Sequence, residues 1–195
     1  ITTDPYNSGI SLDIEPGTGA WSAAARDGVT QFMADLNAQL KALSPPKELS
    51  KYVGPTVSTS KYNIATDAGN LDYMILSCYP WGGSWSTAVN AISDAAVGSG
   101  STGFIHHGNV LISNGLPPEK LVLALSAYGH RWETSSLTYG AAITSSIGSI
   151  GHNVARFNTT LRPSPYVNSY KTLDETDWYQ VPSPQGVTVW DSDTS

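Results

Sequence analysis

The sequence is poor in cysteine, in charge and in long apolar runs, and each shortage excludes something. A single cysteine, Cys78, rules out an intrachain disulfide, and its apolar neighbours suit a small buried residue better than a nucleophile. Charged residues are only 13% of the 195, with 10 basic against 16 acidic and a net charge of -6. No Lys/Arg cluster exists to track a phosphate backbone, so no nucleic acid partner is expected. The longest apolar runs, such as Leu121 to Leu125, are far too short to cross a bilayer, and no charged-then-apolar leader is seen, so no membrane partner is expected. Pro16 to Gly19 lacks the Lys-Ser/Thr that would make a Gly-rich loop a phosphate cradle. His106-His107 is the one pair resembling metal ligands, but adjacent helical residues point about 100° apart. We expect no metal and no cofactor. Because residue 1 is Ile rather than Met, we expect a processed, cut or truncated chain.

What the chain does hold is enough apolar content for a core, 40% hydrophobic residues, and one domain is the natural count for this length. Glycine (18), tyrosine (10) and tryptophan (6) are plentiful. A polar, weakly charged, aromatic-rich surface is common among secreted carbohydrate-active proteins, and Asn158-Thr159-Thr160 is an N-glycosylation acceptor pattern. A secreted location follows as an expectation.

The periodicity predicts a strand at the start and an amphipathic helix from Ala23 to Leu43, where Val29, Phe32, Met33, Leu36, Leu40 and Leu43 recur at helical spacing before Ser44-Pro45-Pro46 stops it. A strand from Tyr52 to Ser58 and a polar connection from Lys61 to Asn70 come next. Leu71 to Tyr79 is a nearly continuous apolar run of the kind buried on both faces in a parallel sheet. A helix from about Thr87 to Ala96, a helix from Gly103 to Asn114 and a buried strand from Lys120 to Ala127 follow. Residues 133–185 dissolve into Ser, Thr, Gly and Pro and read as a long irregular excursion. The last strand is Val187 to Trp190. This βα order is that of a parallel sheet with right-handed crossovers. Strand ends carry Glu15, Tyr79, Tyr128 and Trp190, as they do at the working end of a (β/α)8 barrel, yet five strands are too few to close one and such barrels take about 250 residues.

The stretch Gly9 to Pro16 is the most telling. Ile10, Leu12 and Ile14 fall on one face of a strand, and Ser11, Asp13 and Glu15 on the other. Two carboxylates roughly 7 Å apart on one face repel unless one holds a proton or a neighbour compensates, which is how a general acid is made at neutral pH. A solvated polar face on an antiparallel strand has the same pattern, and these residues alone leave both readings open.

Four stretches together resemble glycoside hydrolase family 18, which comprises chitinases, endo-β-N-acetylglucosaminidases and chitinase-like lectins. Ser8 to Glu15 lies over the family's D-G-x-D-x-D-x-E signature of barrel strand 4, matching at Gly9, Asp13 and Glu15 and departing at Ser8 and Ser11. Leu71 to Tyr79 looks like strand 6 with its Met-x-Tyr-Asp ending, where Ser77 replaces the Met and Pro80 the Asp. Gly115 to His130 is similar to the G-x-P-x-x-K-L-x-x-G-x-x-x-Y-G-R/H stretch around strand 7, and Gly186 to Asp193 looks like strand 8 with its tryptophan.

The resemblance implies an α/β fold, a (β/α)8 TIM barrel of which only about strands 4 to 8 lie in residues 1–195. The missing N-terminal half would come from the full protein or a partner chain, since a half barrel exposes sheet edges and an apolar surface. It also implies retaining hydrolysis of β-1,4 linkages beside N-acetylglucosamine, in which the substrate's own acetamido oxygen attacks the anomeric carbon. Glu15 would be the acid, Asp13 would orient the acetamido N–H, and Tyr79 would donate to the acetamido oxygen. Trp190, Tyr128, Trp81 and Ser11 would be substrate-binding positions, with Trp190 flooring the sugar subsite. The partner is then a polysaccharide or glycan containing N-acetylglucosamine. The alternative is a weak or inactive sugar-binding relative, because Ser11 removes the Asp that shares a proton with the residue at position 13. Trp81, Trp85 and Trp132 serve as sugar platforms or packing residues, their loop positions leaning to the former.

Overall fold

The computed structural model of the chain describes residues 7–16, 19, 21–54, 56–77, 84–88, 103–125, 128–136, 141–151, 168–171, 176–180 and 187–190. The chain divides into two compact units, one built from residues 1–77 and 106–124 and the other from 78–105 and 125–195.

The first unit is a four-stranded parallel sheet in the order β1-β2-β3-β4, where β1 is Gly9–Leu12, β2 is Glu48–Val53, β3 is Tyr73–Ser77 and β4 is Leu121–Ala124. Parallel neighbours need crossovers. Helix α1 (Ala23–Lys41) connects β1 to β2 and α2 (Ile64–Asn70) connects β2 to β3, while α3 (Gly103–Ser113) precedes β4. The Ser22 hydroxyl caps α1 by accepting from the Ala25 N–H at 3.2 Å. Met33 and Leu40 bury its apolar stripe, whereas Phe32 stays exposed.

The register stacks Leu12, Lys51, Met74 and Leu121 in one row across the sheet, and Ser11, Ser50 and Tyr73 in a row on its other face. The first row belongs to the face that packs with the helices, with Leu49, Val53, Met74 and Leu76 buried. Gly9 is required by the closeness of β1 to β2: a Cβ there would stand 2.2 Å from the Glu48 carbonyl oxygen. Lys120 has an equally physical role, its ammonium donating to the Ala68 and Leu71 carbonyls at 2.8 and 2.7 Å at the C-terminal end of α2.

Several expectations are corrected here. The strand expected over Tyr52 to Ser58 is β2, which starts at Glu48 because Leu49, Lys51 and Val53 alternate into the helix layer and Pro55 lies beyond its end. The polar connection from Lys61 to Asn70 contains α2, whose buried side holds Ile64, Asp67 and Ala68. An aspartate on that side disguises the helical stripe. Strand β4 ends at Ala124 and is preceded by a 3-10 turn, Pro118–Lys120, with Pro117 at its N-cap. The run at 71–79 is not buried evenly, since Tyr73 is exposed beside buried Met74 and Leu76. At the start of the helix expected from Thr87, Ala88 instead forms an antiparallel bridge with Ala142, and the Thr87 carbonyl accepts from the Ile143 N–H at 2.9 Å. Residues 89–96 of that expectation lie outside the described residues.

The second unit is a five-stranded antiparallel sheet in the order β6-β5-β9-β8-β7. Its strands are β5 (Tyr128–Thr134), β6 (Ile143–Gly151), β7 (Asn168–Lys171), β8 (Thr176–Gln180) and β9 (Val187–Trp190). The stretch 133–185, expected to be irregular, therefore carries three strands of its own. Ser and Thr on antiparallel strands leave one face polar, and the apolar alternation that marks a strand is then weak. Val187–Trp190, expected as a further strand of the parallel sheet, pairs antiparallel with β5 and β8 instead.

Candidate active site

The polar face of β1 continues past its last ladder residue. Ser11, Asp13 and Glu15 are all exposed, and Leu12 and Ile14 between them are half-buried. The alternation read in the sequence thus places both carboxylates on one side of the chain at the C-terminal end of a parallel strand, where ligand sites of α/β sheets occur.

Glu15 is exposed as a residue, yet its carboxyl end lies against the main chain just beyond β2. A Cβ at Gly54 would stand 2.6 Å from Glu15 Oε1, so only glycine leaves room for the acid in this position. Burial of that end pushes the Glu15 pKa above its ordinary 4.5, and the charge of Asp13 pushes it the same way. Lys51 and Lys61 oppose the rise. A carboxyl held in its protonated form to higher pH, beside a second carboxylate, is the arrangement of a general acid.

Behind this face lies a polar cluster that the sequence reading missed. Lys51 is only 1% exposed although it occupies a position between Leu49 and Val53 on the helix-facing side. Its ammonium donates to the Ile14 carbonyl and lies 5.7 Å from the Trp21 ring centroid and 5.5 Å from that of Tyr62. The Tyr62 hydroxyl accepts from the Gly54 N–H at 3.3 Å, and burial raises its pKa to about 12. Asp67 is 2% exposed and accepts from the Thr30 hydroxyl at 2.6 Å. Burial raises the Asp67 pKa, with that hydrogen bond and Lys51 pulling it back. The available signal was a lysine in the alternating run Leu49-Ser50-Lys51-Tyr52-Val53, where the helix-facing positions are otherwise apolar.

The other expected site residues fall within the residue ranges of the second unit. Tyr79 and Trp81 lie outside the described residues. Tyr128 is half-exposed and opens β5, whose next residue, Gly129, pairs with Trp190 of β9. Tyr128 and Trp190 are thus at the same end of one strand pair in the second unit, while Ser11, Asp13 and Glu15 belong to the first. Of the two readings of Trp132, platform or packing residue, the second holds: it is fully buried, with its ring centroid 4.8 Å from that of His130. Trp85 is 66% exposed. His106 and His107 stack edge to face, and among the described residues no cluster of His, Cys, Asp and Glu is arranged to hold a metal ion.

The family model described as Glycosyl hydrolases family 18 matches residues 4–195. No curated protein sequence matches the chain. Among solved structures, the class V chitinase from Nicotiana tobaccum is 21% identical with a TM-score of 0.78, covering 95% of this chain and 57% of that one. The GH18 chitinase from Cycas revoluta in complex with (GlcNAc)3 is 19% identical with a TM-score of 0.77, covering 95% and 56%. The Ostrinia furnacalis group IV chitinase in complex with allosamidin is 16% identical with a TM-score of 0.74, covering 95% and 55%. The chain therefore spans a little over half the length of these structures.

Proposed function

The chain belongs to glycosyl hydrolase family 18 and carries part of that family's (β/α)8 barrel, and from this premise we propose that it supplies the acid of a chitinase-type hydrolysis. The observation that carries the proposal is Glu15, exposed at the end of β1 with its carboxyl end against Gly54 and Asp13 two residues behind it. The bond cleaved is a β-1,4 linkage next to N-acetylglucosamine in chitin or a chito-oligosaccharide. Glu15 gives its proton to the glycosidic oxygen as the acetamido carbonyl oxygen attacks the anomeric carbon and the C–O bond breaks. Asp13 accepts from the acetamido N–H and balances the positive charge of the cyclic intermediate. Glu15, now a carboxylate, takes a proton from the water that reopens the ring, so the β configuration is retained.

Tyr79 is assigned the hydrogen bond to the acetamido oxygen, with Trp81, Tyr128, Trp190 and Ser11 at substrate-binding positions. The remaining barrel strands come from the rest of the protein or from a partner chain, and the location is extracellular.

Replacing Glu15 by Gln in the complete protein tests this. Release of fluorophore from an N-acetylglucosamine oligomer is expected to fall by about 10²–10⁴, the usual worth of a positioned acid, with oligomer binding retained. Unchanged turnover in the variant overturns the assignment. Ser8 and Ser11, which stand where the family has aspartates, favour a second reading as a sugar-binding relative. It predicts tryptophan quenching by chito-oligosaccharide with no products from the unmodified protein at any pH.

A further inference from the structure

Lys51 is a buried cation in a layer of apolar side chains, and nothing in the hydrolysis described above uses it. Its surroundings are specific. The ammonium donates to the carbonyl of Ile14, the residue immediately before the acid, and the rings of Trp21 and Tyr62 lie within 5.7 Å of it. Tyr62 in turn accepts from the Gly54 N–H at 3.3 Å, and Gly54 is the residue against which Glu15 Oε1 rests. One side chain is therefore tied to both neighbours of the acid: directly to the peptide that precedes it, and through Tyr62 to the peptide that faces it.

The charges around this point are also arranged on Lys51. Asp67 from α2, and Glu15 and Asp13 beyond the end of β1, all favour its charged form against the effect of burial. Tyr62 and Lys61 precede α2, and Lys61 is the other cation acting on Glu15. A buried cation without such partners would lose its proton or its place. The described counter-charges acting on Glu15 are Lys51, from behind the strand, and Lys61.

We propose that Lys51 is a positioning residue for Glu15, holding the backbone of the acid through the Ile14 carbonyl and placing a fixed positive charge behind it. This rests on Glu15 being the acid, and the test is chosen to separate the two.

The Glu15 carboxyl is titrated directly by carbon-13 NMR of the complete protein, its resonance assigned by its loss in Glu15→Gln. Lys51→Met removes the charge and is expected to move the Glu15 midpoint upward, because an opposite charge that favoured the carboxylate is gone. Lys51→Arg keeps the charge and is expected to hold the midpoint at the unmodified value. In the active protein, the alkaline limb of kcat/KM follows the same direction in Lys51→Met. Its kcat falls by about tenfold, the cost of a slightly displaced catalytic group, with KM nearly constant. A midpoint that stays put in a folded Lys51→Met protein, or that moves as far in Lys51→Arg, overturns the proposal. If Lys51→Met does not fold, Lys51→Gln, whose amide is able to donate to Ile14, stands in its place under the same outcomes. Since the titration needs no turnover, an inactive protein with a shifting midpoint keeps this role and refutes the hydrolase reading. An active protein with a fixed midpoint does the opposite.

Discussion

In the parallel sheet Lys51 sits 1% exposed with a carbonyl acceptor, two aromatic rings and three carboxylates directed to its charge. In the antiparallel sheet His130 sits 4% exposed, and its partners among the described residues are neutral: the Ser146 hydroxyl at 2.9 Å from Nε2, the Ser149 hydroxyl at 3.5 Å from Nδ1 and the Trp132 ring beside it. Burial pushes both pKa values down. For Lys51 the carboxylates resist that push, while for His130 burial is the cause. Burial works against the charged form of both bases, and at Lys51 the described carboxylates partly offset it.

The comparison breaks most visibly at Trp132, which is fully buried in the antiparallel unit. Trp132→Ala is expected to cost about 3–5 kcal/mol, the range for truncating a buried aromatic. If the two units have separate cores, hydrogen exchange will accelerate at the amides of β5 and β6 and stay near its original rate in β2 and β3. Equal acceleration in both sheets would show that one core stabilises the whole. The reciprocal change is smaller. Asp72 accepts from the Leu49 N–H at 2.8 Å and from the Lys41 ammonium at 2.7 Å, joining the end of α1 to β2. Asp72→Asn keeps the shape and weakens these charge-assisted bonds, so a loss of about 1–2 kcal/mol is expected. Exchange should now rise in β2 and β3 and not in β5 and β6.

The two units also differ in how far their residues announced them. Met33 and Leu40 mark the buried stripe of α1, and its predicted start at Ala23 is the observed one. Gly9 and Lys120 match the family's motifs, but the physical reasons for them, a close backbone and a helix end, show only in the fold. What stayed hidden in the first unit is polar and buried. Asp67 hides a turn of α2, and Lys51 looks out of place among apolar residues until Leu12 and Met74 are seen beside it in the register. In the second unit the pairings join residues far apart in the chain, as when Gly129 meets Trp190. Ser-rich strands such as β6 lack the apolar alternation that would reveal them, and the burial of Trp132 shows only once β5 is paired with β6 and β9.

The smallest expected effect is on the pH dependence of stability, and there the two units have opposite signs. His130 has its folded pKa below the ordinary 6.5. It therefore contributes stability that is fully present above that value and is lost as pH falls through the lowered one, because the unfolded chain binds the proton more readily. Asp67 has its pKa raised above the ordinary 3.8. Its contribution is fully present below 3.8 and is lost as pH rises through the raised value. Urea unfolding at a series of pH values, with His130→Gln and Asp67→Asn measured beside the unmodified protein, separates the two. The loss of stability on acidification below 6.5 should be shallower in His130→Gln, and the loss on raising the pH above 3.8 should be shallower in Asp67→Asn. Curves that stay parallel to the unmodified protein for His130→Gln would mean that the imidazole binds its proton as readily inside the fold as in the unfolded chain, and that burial does not lower its pKa.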